Sequence, residues 1–131
     1  MCITLRQDSK TPYNTSNIRW KYAEVINGKI YSPIERYKYT IGKQLNARKD
    51  RDPDVGFHVF ISKNACMRDI RDSSYSYYGE RGNYVILKCE MSNFHVSGTY
   101  WSEKCEVWKS MKIVQVFSIG KRDITDKFIG K

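Results

Sequence analysis

Nowhere in this 131-residue chain does an apolar run extend beyond a few residues. A helix that crosses a bilayer needs about 20, so no membrane-spanning helix is expected. The N-terminal MCITLRQDSK holds no apolar stretch of signal-peptide length. Histidine is scarce, with only two. The four cysteines, Cys2, Cys66, Cys89 and Cys105, show no Cys-x-x-Cys or other paired spacing. That excludes a recognisable zinc signature. Without an export signal, thiols are expected to stay reduced inside a cell. No phosphate-binding glycine loop, dinucleotide fingerprint or nucleophile elbow occurs, and neither cofactor nor metal is expected.

Positive charge, by contrast, is abundant. Twenty-three Lys and Arg face 14 Asp and Glu, a formal charge of +9. Residues 1–50 carry ten basic against four acidic side chains, 51–100 six of each, and 101–131 seven against four. The excess sits in the terminal thirds. A field of this kind favours nucleic acid, a nucleotide or an acidic protein surface as partner. Hydrophobic residues at 40% and charged residues at 28% describe a globular chain, and the length suits one domain over 1–131.

Residues 1–17 read as an irregular lead-in. IRWKYAEVI, 18–26, alternates with period two, Trp20 and Tyr22 on one side and Arg19 and Lys21 on the other. Asn27-Gly28 is a strong hairpin signal, and KIYS returns antiparallel to Pro33. ERYKYTIGK alternates again, with Tyr37, Tyr39 and Ile41 opposed to Arg36, Lys38 and Thr40. Residues 44–54 read as an exposed loop. GFHVFIS is a strand, Ser62 a helix N-cap, and KNACMRDIRD a short helix. NYVILKCEM reads as a central strand, NFHVSGTYW as a shorter one, SEKCEVWKSM as a second short helix, and KIVQVFSI as the last strand. Residues 120–131 form an irregular tail. The expected class is α+β, a mostly antiparallel curved sheet or partial barrel with one or two short helices.

The chain opens Met1-Cys2, continues with Ser32-Pro33, then Tyr39-Thr40-Ile41-Gly42-Lys43, then Gly56-Phe57-His58. This order resembles a loose group of small uncharacterised phage, viral and bacterial proteins, over most of residues 1–115. Related chains often carry a proline-glycine turn after the late strand, where this one has Ser92-Asn93 and Ser97-Gly98. The resemblance implies an intracellular accessory protein, in the host cytoplasm, that modulates a host or host-defence factor. It brings no catalytic residues.

Charge candidates for an anionic ligand are Arg19, Lys21, Arg36, Lys38 and Lys43, expected to gather on an outward face while the aromatic rings turn inward. Tyr75, Tyr77, Tyr78 and Arg81, among serines and glycines, are contact candidates, since a ring beside a cation can hold a base. His58, between Val59 and Phe57, is either a satisfied structural imidazole or part of a site. His95 is either an ordinary strand residue or its partner. Cys2 becomes a terminal nucleophile if Met1 is removed, or packs as a small hydrophobe. One enzymatic alternative is an ADP-ribosyltransferase-like body, whose polar residue, serine and late glutamate resemble Arg19, Ser32 and Glu106 in order, or another nucleotide-using enzyme with His58, His95 and Glu106 as catalytic candidates. Another alternative is a pure protein–protein inhibitor.

Overall fold

The computed structural model describes residues 4–32, 37–47, 56–73, 84–100, 103–119 and 122–129. Among them, eight strands and one α-helix follow in the order β1 (Thr4–Leu5), β2 (Ile18–Ile26), β3 (Lys29–Tyr31), β4 (Lys38–Tyr39), β5 (Gln44–Asn46), β6 (Phe57–Phe60), α1 (Lys63–Ser73), β7 (Tyr84–Tyr100) and β8 (Glu103–Ser118). A 3-10 turn lies at Thr125–Lys127. All pairings are antiparallel.

Local chemistry accounts for the short elements. Asn27 and Gly28 take φ of 51° and 77°, the paired left-handed conformation that a two-residue hairpin turn needs, and they join β2 to β3. Ser62 caps α1: its Oγ accepts the Ala65 N–H at 3.1 Å and its carbonyl accepts the Cys66 N–H at 3.3 Å. Gly56 precedes β6 with φ 146°. A Cβ there would sit 2.4 Å from Val107 Cγ1 and 2.8 Å from the Trp108 carbonyl, so only glycine lets the chain come this close to β8.

The pairing path closes on itself. β2 pairs with β7, β7 with β8, β8 with β6, and β6 with β2 through Trp20 opposite Phe60. The sheet is therefore partly ring-like without being a barrel, since β1 extends it from β7, β3 and β4 from β2, and β5 from β8. Two apolar clusters result. Ala23, Val59, Leu87, Cys89, Met111 and Ile113 belong to one. Tyr22, Phe60, Ile86 and Cys105 pack with Ala65, Cys66 and Ile70 of α1 in the other. Burying each large apolar side chain of this kind contributes roughly 1.5–3 kcal/mol.

Several expectations change here. NYVILKCEM and NFHVSGTYW are one strand, β7, continued through irregularities at Lys88/Cys89 and Phe94/Val96. Residues 103–111 are strand, not helix. They are hydrogen-bonded to β7 on one side and to β6 and then β5 on the other. The buried polar residues Glu106 and Ser110 interrupt an apolar pattern that would otherwise have marked a covered strand. The lead-in carries β1. Three residues of the expected loop form β5, and the tail pairs back through Asp123 opposite Phe117 before its 3-10 turn.

The alternation in β2 is present, but the face expected to be outward is covered as well. Arg19 is fully buried and Lys21 half-buried, while Trp20 and Tyr22 pack on the side that carries α1. Both faces of β2 are covered, so neither set of side chains could be the outward one. Tyr39 does turn into the core, and Lys38 outward. Pro33 and Arg36 lie outside the described residues. No helix among the described residues is long and apolar enough to cross a membrane.

Candidate functional site

Three features hold the chemistry-bearing residues: a buried ion pair, a half-buried histidine and a lysine-rich exterior.

Arg19 Nε donates to Glu106 Oε1, and Arg19 Nη2 to Glu106 Oε2 at 3.2 Å, with both side chains at zero exposure. Glu106 accepts two more bonds. Trp108 Nε1–H reaches Oε1 at 2.8 Å, and the Tyr13 backbone N–H reaches Oε2 at 2.7 Å. Arg19 Nη1 donates to the Ile18 carbonyl at 2.9 Å, and the guanidinium lies 5.7 Å from the Trp108 ring centroid. Four donors on two carboxylate oxygens leave Glu106 well satisfied, as a buried charge must be.

The lead-in forms a strap across this centre. Tyr13 Oη donates to the Gly98 carbonyl at 2.5 Å. Arg6 Nε donates to Ser97 Oγ at 2.7 Å, and that hydroxyl donates to the Thr11 carbonyl at 2.9 Å. Arg6 Nη2 also binds the Thr11 carbonyl at 2.7 Å, and its guanidinium stacks 4.2 Å from the Tyr13 ring. Residues that read as unstructured are thus tied down by side-chain bonds that carry no periodic signal.

The three residues of the transferase-like resemblance are all buried. Glu106 lies sealed beneath the strap, and Arg19 is its counter-ion rather than a ligand contact. Ser32 is also buried. Its N–H donates to the Tyr37 carbonyl at 2.8 Å and its Oγ accepts the Tyr37 N–H at 2.8 Å, closing the connection between β3 and β4. Each of the three is held by hydrogen bonds within the fold, and Glu106 has no exposed surface.

His58 lies opposite Val107, with Nε2 enclosed and without a hydrogen-bond partner among the described residues. Burial, helped by the Lys21 ammonium, pushes its pKa down to about 3, so the ring is neutral at neutral pH. Lys21 Nζ donates to the His58 carbonyl at 3.0 Å, which turns that cation to a structural task. His95 is the extra residue of the β7 irregularity, where Phe94 faces Trp108 and Val96 faces Val107. β8 runs between the two histidines, and no hydrogen bond links them. Burial raises Cys66 well above the usual thiol range and pushes Cys89 and Cys105 up to about 12, which makes all three unreactive. No group of three metal-ligating side chains occurs among the described residues.

The exterior is different. Among the described residues, ten Lys and Arg are exposed against four Asp and Glu. Three of the four buried charged residues, Glu24, Asp69 and Glu106, are acidic. Among the residues whose side chains are described, the exposed charges are thus more one-sided, ten to four, than all their charges together, 15 to eight. Lys38 stands on β4, and Lys43 follows the Gly42 turn, φ 80°, that leads into β5. Beside β5, β8 exposes Lys109 and Lys112. A small open hollow at the β3–β4 corner is edged by Lys29, Lys38 and Thr40 and backed by Ile30, Tyr39 and Phe128. Sequence reasoning passed over Lys29, although its position beside the Asn-Gly turn and one residue from the inward Ile30 marks it as outward.

Arg36, Tyr75, Tyr77, Tyr78, Arg81 and Cys2 lie outside the described residues. No family model, curated protein or solved structure matches this chain.

Proposed function

We propose that this protein is a small basic binding domain that engages an anionic ligand through exposed lysines, with Lys29 and Lys38 at the β3–β4 corner and Lys43 near β5. The observation that carries this reading is the separation of charge by folding. Among the residues whose side chains are described, three of eight carboxylates are buried, against one of 15 basic side chains. An exterior of one sign attracts polyanions and speeds their association. Arg19 and Lys21 take no part in this surface. The resemblance of this motif order to small phage, viral and bacterial proteins is the ground for proposing an accessory role that modulates a host component.

The test is retention on heparin and its release by salt. The wild-type protein should elute well above the salt concentration that releases a neutral protein. Lys29→Glu/Lys38→Glu, with unchanged melting, should elute markedly earlier. Equal elution of the two proteins would remove the β3–β4 corner from the reading.

A further inference from the structure

β3 and β4 bring a half-buried aromatic ring between two exposed ammonium groups on one sheet face. Ile30 and Tyr39 pair and point into the core, so their neighbours point the other way. Lys29 and Tyr31 share that outer face of β3, about 7 Å apart. Lys38 stands directly across from Tyr31 on β4, about 5 Å away. Lys29 and Lys38 are exposed and Tyr31 is half-buried. The Tyr31 side chain joins neither apolar cluster and makes no hydrogen bond or ring contact among the described residues. The next residue in the row, Glu24 on β2, is buried on the same face.

A tyrosine packed against the described core would belong to one of these clusters. This one is held at the surface by its strand, with a cation on each of two sides. That combination fits a flat aromatic ligand joined to phosphates. An acidic protein would use the lysines but leave the ring without a matching face.

We propose that Lys29, Tyr31 and Lys38 form a binding platform for single-stranded nucleic acid, on which a base stacks against Tyr31 while flanking phosphates meet the lysines. The proposal rests on the anion-binding reading above and names the ligand class of the same corner.

The probes are a fluorescein-labelled single strand of about 10 nucleotides and a strand of equal length made entirely of abasic sites, which keeps the phosphates and removes the bases. The base-bearing strand should bind more tightly than the abasic one. Tyr31→Leu should weaken it about tenfold and leave the abasic strand unchanged, while Tyr31→Trp should bind the base-bearing strand at least as tightly as wild type. Lys38→Ala should weaken both. Melting curves identify any variant that fails to fold, and Tyr31→Trp then decides alone. Equal affinity for the two strands, or no effect of Tyr31→Leu, would overturn the stacking platform while leaving the anion-binding reading in place. Binding to heparin but to neither strand would overturn nucleic acid as the ligand. Binding to none of the three would overturn the underlying reading itself.

Discussion

Arg19 on β2 and Glu106 on β8 form a forked, fully buried ion pair between strands that are not neighbours in the sheet. β6 separates them on one side and β7 on the other, so the pair clasps the ring-like part of the sheet across its interior. Removing one partner leaves an uncompensated buried charge. Arg19→Met or Glu106→Ala should each cost about 3–5 kcal/mol in urea unfolding. The double variant Arg19→Met/Glu106→Ala, which removes both charges, should be more stable than the sum of the two losses implies. Strict additivity would show that the two side chains do not act as a pair.

The strap is held by few bonds, and Ser97 is its junction. Its hydroxyl accepts from Arg6 and donates to Thr11 while fully buried. Ser97→Ala should destabilise the protein by about 1–2 kcal/mol. It should also speed hydrogen exchange at the Tyr13 amide, which is otherwise protected by Glu106. Unchanged exchange at Tyr13 would mean that the strap is fixed from elsewhere.

His58 makes stability depend on pH. Its folded pKa, about 3, lies below the unfolded value of about 6.5. Between these values the unfolded chain binds the extra proton. The contribution of His58 is therefore complete above about pH 6.5 and is lost as pH falls towards 3. Its slope is at most about 1.4 kcal/mol per pH unit. His58→Gln should flatten the unfolding free energy over pH 4–6 relative to wild type. An unaltered slope would place the acid sensitivity on other groups.

Buried thiols with raised pKa should resist alkylation. Cys66, Cys89 and Cys105 should react with a thiol reagent at neutral pH only as fast as the protein opens, and all three should become reactive together in denaturant. Rapid reaction of any one in the native protein would contradict its placement in the core.

Short-range signals predicted much of this fold. The Asn27-Gly28 turn, the Ser62 cap and the period-two pattern of β2 each follow from a few adjacent residues, and each is present. What failed was decided by distant partners. The period-two pattern of β2 distinguishes two faces but does not say which is inside when both are covered. Arg19 looked external because a lone arginine in a strand usually is, yet its partner lies 87 positions later. Cys105 and Trp108 are spaced as on a helix, but pairing with β6 and β7 makes their segment a strand. At the candidate site, Lys38 and Lys43 were readable as outward cations. Lys29 and Tyr31 gained meaning only once β4 was set beside them.

Affinity for a labelled single strand, measured across a range of salt concentrations, bears most directly on the lysine-rich exterior. For a surface of this kind, log K should fall linearly with log salt. Lys29→Ala and Lys38→Ala should each weaken binding and reduce the slope by about 1. Binding that is indifferent to salt, or a slope that neither substitution changes, would contradict an anion-binding role for this face of the protein.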